Sequence, residues 1–265
     1  MQNKSPAEIY SSKTDAEPVA RRSGRWFFVG MALVMIATSI AGFLPAIIQP
    51  ATRRAPLTLL AGVHGIVYFM WLFLYLAQSL LIANRRVVWH RKLGLTSVVL
   101  LALMIPLGFT TTTAMVRRGF DLSGDLHIDP HPNGETSVDA PTLSVFNLSS
   151  LLAFITLAFA AIGYRRRPQV HKRLMLFANI TLMPAPIAHL FGHIPSTWSP
   201  AAIGAAFLIL SNFFLLAPIA GDYLIEKRIR FLTVAMTVGL YAYQQFVILV
   251  IAPSAAWHHF AERIS

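Results

Sequence analysis

Five side chains carry most of the chemical promise of this chain. His64, Tyr68, Trp71, Tyr75 and Gln78 recur at spacings of four, three, four and three residues, so on a helix they share one face. At 1.5 Å per residue the stripe is about 21 Å long. An imidazole, two phenols, an indole and an amide along one line can do either of two things. They can line a site for a flat cofactor such as haem b or a quinone, with His64 as ligand or hydrogen-bond donor. Alternatively, the aromatics pack against neighbouring helices and the polar ends serve as interhelical hydrogen bonds. His189 and His193, one turn apart just after Pro184 and Pro186, supply a counterpart. His64 and His189 fall at similar depth from one end of their helices, which makes them the expected pair for a bis-histidine haem.

Other histidines have weaker claims. His90 and His171 each stand among Arg and Lys at the start of a helix, where contact with lipid phosphate is the expected role. His127 and His131 have the i,i+4 spacing a divalent metal can use on a helix, but they lie among Gly and Pro in the long connection 114–142. His258 and His259 follow Trp257 near the C-terminus and read as interface residues.

These groups sit in a strongly apolar chain. Of 265 residues, 55% are hydrophobic and only 12% charged, more apolar side chain than a water-soluble domain of this size can hide. Runs free of Asp, Glu, Lys and Arg alternate with short basic clusters, the pattern of a polytopic membrane protein. The expected fold class is all-α, a transmembrane bundle of seven helices near 26–47, 58–83, 93–113, 143–164, 174–192, 201–223 and 231–252. Residues 1–25 read as a disordered cytoplasmic tail, and 253–265 as a short outer tail.

The distribution of Lys and Arg predicts orientation. With the N-terminus inside and the C-terminus outside, 17 of the 22 Lys and Arg lie on the inner side, and only Arg53, Arg54, Arg117, Arg118 and Arg263 lie outside. The net charge of +11 is therefore a topology signal that also attracts anionic membrane lipids, and it gives no reason to invoke nucleic acid. The predicted location is a bacterial cytoplasmic membrane. Trp26, Trp89, Trp198 and Trp257 fall at predicted helix ends, where indoles favour the headgroup level, and Trp71 alone is mid-span.

Two inner hairpins align without a gap: Arg85-Arg86-Val-Val-Trp-His90-Arg-Lys-Leu93-Gly-Leu95 and Arg166-Arg167-Pro-Gln-Val-His171-Lys-Arg-Leu174-Met-Leu176. Read as a duplication, they make helices two-three and four-five a parallel repeat. Read plainly, they are two arginine-rich inner turns.

Absences narrow the functions. The spans hold no acidic or basic residue apart from Asp222 and basic residues at helix ends, which disfavours proton coupling through buried carboxylates. The last helix has no Lys for a Schiff base. No Cys is present, so thiolate chemistry and cysteine-held clusters are excluded.

The succession of the His64 helix with Trp71, Leu74 and Gln78, then His90-Arg-Lys-Leu-Gly, then Arg-Pro-Gln-Val-His171-Lys-Arg-Leu-Met-Leu, then Pro184-Ala, resembles an uncharacterised family of bacterial seven-helix membrane proteins. The likeness covers most of the chain after residue 60. It implies the seven-helix fold and assigns no activity, cofactor or site residue. Its likeness to b561-type four-helix cytochromes is one of general layout. The functional expectation is a membrane protein binding haem or quinone in an electron-transfer or redox-accessory role, set against a non-catalytic transport component or assembly partner.

Overall fold

The computed structural model describes residues 19–49, 56–118, 140–192 and 198–264, and everything described is helix or connection, with no strand among those residues. The helices are α1 (Val19–Ile48), α2 (Leu59–Ala83), α3 (Val87–Arg118), α4 (Ala140–Gly163), α5 (Pro168–Ile180), α6 (Pro184–Gly192), α7 (Pro200–Glu226), α8 (Phe231–Phe246) and α9 (Ala255–Ile264). Seven of the helical stretches are long and apolar enough to cross a membrane. The expected histidine pair of the long connection, His127 and His131, and most of that connection lie outside the described residues, as do His193 and the first eighteen residues.

Local chemistry sets the helix ends. Thr58 caps α2 by accepting from the Ala61 amide at 3.2 Å, and Ser199 caps α7 in the same way from Ala202 at 3.2 Å, each satisfying an amide that the first turn leaves without a carbonyl. Pro168 opens α5 at a position whose amide is not needed. Helix α7 ends where Lys227 turns left-handed, at φ 52°. The fifth span breaks in two: a tight turn at residues 181–183 separates α5 from α6 just before Pro184, since a proline at that point supplies no amide for the helix to continue.

The fifth span is also the innermost, 61% buried along its most apolar stretch against 11% for the last span. Helix α1 packs on α2, α6 and α7, while α2, α3, α4 and α5 follow one another as neighbours. Their shared core contains Met35, Met104, Phe154, Phe177, Ile187 and Phe214, all fully buried. Most of the remaining apolar side chains point outward, among them Leu95, Ile209, Phe231 and Leu249, as lipid-facing residues must. Trp26, Trp89 and Trp198 are exposed at helix ends, whereas Trp71 is buried. Helix α9 folds back on the bundle. An indole anchors it there, with Trp257 Nε1 donating to the Pro141 carbonyl at 2.8 Å.

Candidate functional site

The α2 stripe lies on the inner face, and most of its polar atoms are spoken for. His64 stacks on Tyr68, with ring centroids 4.1 Å apart, and its Nδ1 lies 3.4 Å from the Thr111 hydroxyl of α3. Tyr68 donates to the Met104 carbonyl at 3.3 Å. It can come so close to α3 because Gly108 stands opposite: a Cβ there would meet the phenol oxygen at 2.6 Å. Trp71 reaches across the core, its Nε1 donating to Asn179 Oδ1 of α5 at 3.0 Å, and its ring meets Phe154 edge-on at 5.1 Å. Tyr75 is buried, and its hydroxyl has only the Ser79 side chain, one turn along the same helix, as a polar neighbour among the described residues. The upper and middle parts of the stripe are thus an interhelical seam.

Gln78, the last member, behaves differently. With its amide turned so that both ends meet complementary partners, Nε2 donates to the His90 carbonyl at 3.1 Å and to His90 Nδ1 at 2.5 Å, while Oε1 accepts from the Gly94 amide at 3.0 Å. The stripe therefore ends on a histidine of the next helix. Across from it stands His171, its ring centroid 6.3 Å from that of His90 and the planes at 75°. His171 Nδ1 lies 2.7 Å from the Ala161 carbonyl. A carbonyl only accepts, so that nitrogen carries the proton and Nε2 keeps a lone pair. His90, accepting at Nδ1, carries its proton on Nε2.

This juxtaposition is not the expected one. The sequence assigned His90 and His171 to lipid phosphate and paired His64 with His189. His64 is instead held by Tyr68 and Thr111, whereas His189 is buried against Phe43 of α1, with ring centroids 4.6 Å apart. The pair that meets is drawn from equivalent places in the two basic hairpins. Among the described residues no group of three or more His, Asp or Glu gathers as a protein-only metal site would require.

A second polar centre joins α5, α7 and α8. Arg173, almost wholly buried, donates from Nη2 to Asp222 Oδ1 and to Glu226 Oε1 at 3.3 Å. Its Nε donates to Thr233 Oγ1 at 3.0 Å, and its Nη1 to the Gln169 side chain at 2.9 Å. Asp222 Oδ2 accepts from the Thr233 hydroxyl at 2.6 Å and from the Arg230 amide at 3.3 Å. Glu226 also takes Lys172 at 3.3 Å and Arg230 at 2.6 Å. Every donor on the guanidinium faces an acceptor, which is what burial of an ion pair demands.

Sequence reading left Asp222 as an isolated acid within a span and missed this cluster. The available signal was an acid four residues before Glu226 in the last turn of an otherwise uncharged apolar helix, since a carboxylate inside a span calls for a cationic partner.

No protein-family model, curated protein or solved structure matches this chain. The functional reading therefore rests on its own side chains. The α5–α7–α8 centre is saturated with internal bonds and reads as structural. His90 and His171 bring their rings together across the bundle, and of the two His171 keeps a lone pair on Nε2.

Proposed function

We propose that this chain is a multi-pass protein of a bacterial cytoplasmic membrane, N-terminus inside and C-terminus outside, that holds haem b in an electron-transfer or redox-accessory role. The observation that carries the reading is the 6.3 Å approach of His90 and His171. If a haem were held there, His90 and His171 would be the residues to supply nitrogen ligands to its iron, and the group would supply one-electron redox chemistry. His171 would be suited to that role, because its Nδ1–H is tied to the Ala161 carbonyl and its Nε2 keeps a lone pair. His90 accepts at Nδ1 from Gln78 and so carries its proton on Nε2; it would have to give up that hydrogen bond before Nε2 could bind in the same way. Gln78 thus sets the proton arrangement of one of the two, which gives the lower end of the α2 stripe a functional place. Basic residues around both histidines, Arg86, Arg91 and Arg167 among them, suit the propionates of haem.

The matching origin of the two histidines also supports the parallel-repeat reading of the two hairpins, because a pseudo-twofold along the membrane normal brings equivalent residues together at the axis. The orientation rests on the basic clusters and has a direct check. Reporters fused after residues 87, 125, 168 and 196 are expected to report inside, outside, inside and outside, and an inverted pattern would refute it.

The haem reading is tested by oxidised and dithionite-reduced absorption spectra of protein purified from haem-replete cells. Wild type is expected to show a b-type spectrum, lost in His90→Ala and in His171→Ala. In Gln78→Leu it is retained with a shifted midpoint potential. In His64→Ala and His189→Ala it is also retained, and its loss there would return the ligands to that expected pair. Colourless wild-type protein would discard haem altogether. The second reading, a non-catalytic transport component or assembly partner, is favoured by the closed seam at Tyr68 and Trp71 and is what colourless, well-folded protein would leave standing.

A further inference from the structure

Helices α7 and α8 diverge around a groove of about 380 Å³ lined by Asn212, Leu215, Leu216, Thr237, Val238 and Tyr241. Leu215 and Thr237 form its buried floor, where the Thr237 hydroxyl donates to the Leu215 carbonyl at 3.0 Å and stitches the two helices. Leu216 and Val238 are exposed at its sides, so the groove opens onto the surface that faces lipid. Its depth is unusual for polar groups. Tyr241 is ten residues into α8 and Asn212 twelve residues into α7, so both stand about 15–18 Å along their helices, near the middle of a hydrocarbon core about 30 Å thick.

At that depth there is no water to satisfy a donor or acceptor, and an unpartnered polar group is costly. Tyr241 is 48% exposed, and no hydrogen bond to its hydroxyl occurs among the described residues. Asn212 uses one amide N–H on the Leu208 carbonyl at 2.8 Å, which leaves its second N–H and its oxygen. The neighbouring Ser211 hydroxyl is buried without a partner. Two polar side chains with uncommitted atoms, Tyr241 and Asn212, thus line one groove at the midplane. Phospholipid headgroups do not reach this depth. The occupant has to be lipid-soluble, small enough for a single substituted ring, and equipped with acceptors for a phenol and an amide.

We propose that the α7–α8 groove binds the head group of an isoprenoid quinone, with Tyr241 donating to one carbonyl and Asn212 to the ring's polar edge, while the prenyl tail lies along the exposed faces of α7 and α8. The choice of a quinone among lipid-soluble carbonyl compounds rests on the redox reading above; the existence of the site does not. It also moves the expected quinone site from the α2 stripe, whose polar atoms are largely bonded, to a different face of the bundle.

The test uses the full chain in nanodiscs of phosphatidylcholine, titrated with decylubiquinone against empty nanodiscs, for wild type, Tyr241→Phe, Asn212→Leu and the control Tyr223→Phe. Saturable binding to wild type and control, about tenfold weaker in each groove variant, is the expected result. Binding no greater than partition into empty nanodiscs would overturn the proposal, as would groove variants indistinguishable from wild type. So would a wild type that is dimeric and becomes monomeric with Tyr241→Phe, since the groove would then be a helix interface. Tyr241 is half exposed and the change removes only its hydroxyl, so the phenylalanine variant is expected to fold. The absorption spectrum of the same samples separates the two readings: quinone binding without haem would remove the imidazole-pair proposal and leave the groove intact.

Discussion

Replacing Arg173 with methionine is expected to destabilise the protein by about 3–5 kcal/mol, the range seen when one member of a buried ion pair is removed. The change strands Asp222, whose remaining partners are the Thr233 hydroxyl and the Arg230 amide, and it leaves Glu226 leaning on Lys172 and Arg230 alone. Arg173→Lys is expected to fall short of wild type as well. A single ammonium cannot span Asp222, Glu226, Thr233 and Gln169 from the positions that Nε, Nη1 and Nη2 occupy. The double replacement Arg173→Met with Asp222→Leu is the informative one. If the loss in the single variant comes from an uncompensated charge, the pair should recover most of it. Monodisperse protein remaining after heating in detergent, measured by size-exclusion chromatography, orders the four proteins. A double variant no better than the single would mean that the network's hydrogen bonds to Thr233 and Gln169, rather than charge balance, hold α5, α7 and α8 together.

The second large effect is steric. A Cβ on Gly42 of α1 would collide with the Pro186 carbonyl of α6, a backbone atom with no rotamer to escape into. Gly42→Val is therefore expected to force the two helices apart, at a cost of about 1–3 kcal/mol or more, and to disturb His189, which packs on the adjacent Phe43. Gly30, on the same helix, has nothing within 4 Å of the position a Cβ would take. Gly30→Ala should be neutral or slightly stabilising, by up to about 1 kcal/mol. The same heating assay reads both. Equal behaviour of the two variants would mean that α1 and α6 do not meet at Gly42.

How far the fold was legible depended on what each boundary was made of. The spans expected at 26–47 and 58–83 correspond closely to Gly24–Ile48 and Leu59–Ala83, because there apolar content and helix end together. The third was expected to begin at residue 93 and begins at Val87. Arg91 and Lys92 end the apolar run but are good helix formers, so the helix continues through them. Pro184 announced the break in the fifth span, though not that the helix would be resumed so soon after it. The short α6 and the C-terminal α9 were read as span and tail.

The site was legible in one dimension only. Spacing put His64, Tyr68, Trp71, Tyr75 and Gln78 on one face, and they are on one face. Spacing says nothing about what stands opposite: Tyr68 finds Met104 36 residues further along the chain, and Trp71 finds Asn179 108 residues further. Helix depth made His64 and His189 look like partners, yet depth fixes only one coordinate of three. The meeting of His90 with His171 depends on the angles at which α3 and α5 leave their turns, which no local pattern encodes.

The buried ion pair also bears on how the chain enters the membrane. The fifth span is the least apolar of the seven, is interrupted before Pro184, and carries Arg173 and Asn179, whose partners include Asp222 on the next span and Trp71 on the second. Threaded into lipid alone, it would expose a guanidinium and an amide to hydrocarbon. Trp71 has already been made when this segment leaves the ribosome, but Asp222 has not. Stable insertion of the segment is thus expected to wait for synthesis of the span that follows, so that a nascent chain stopped between residues 192 and 222 holds its fifth span loosely, at the insertion machinery or against earlier helices, until the missing carboxylate arrives.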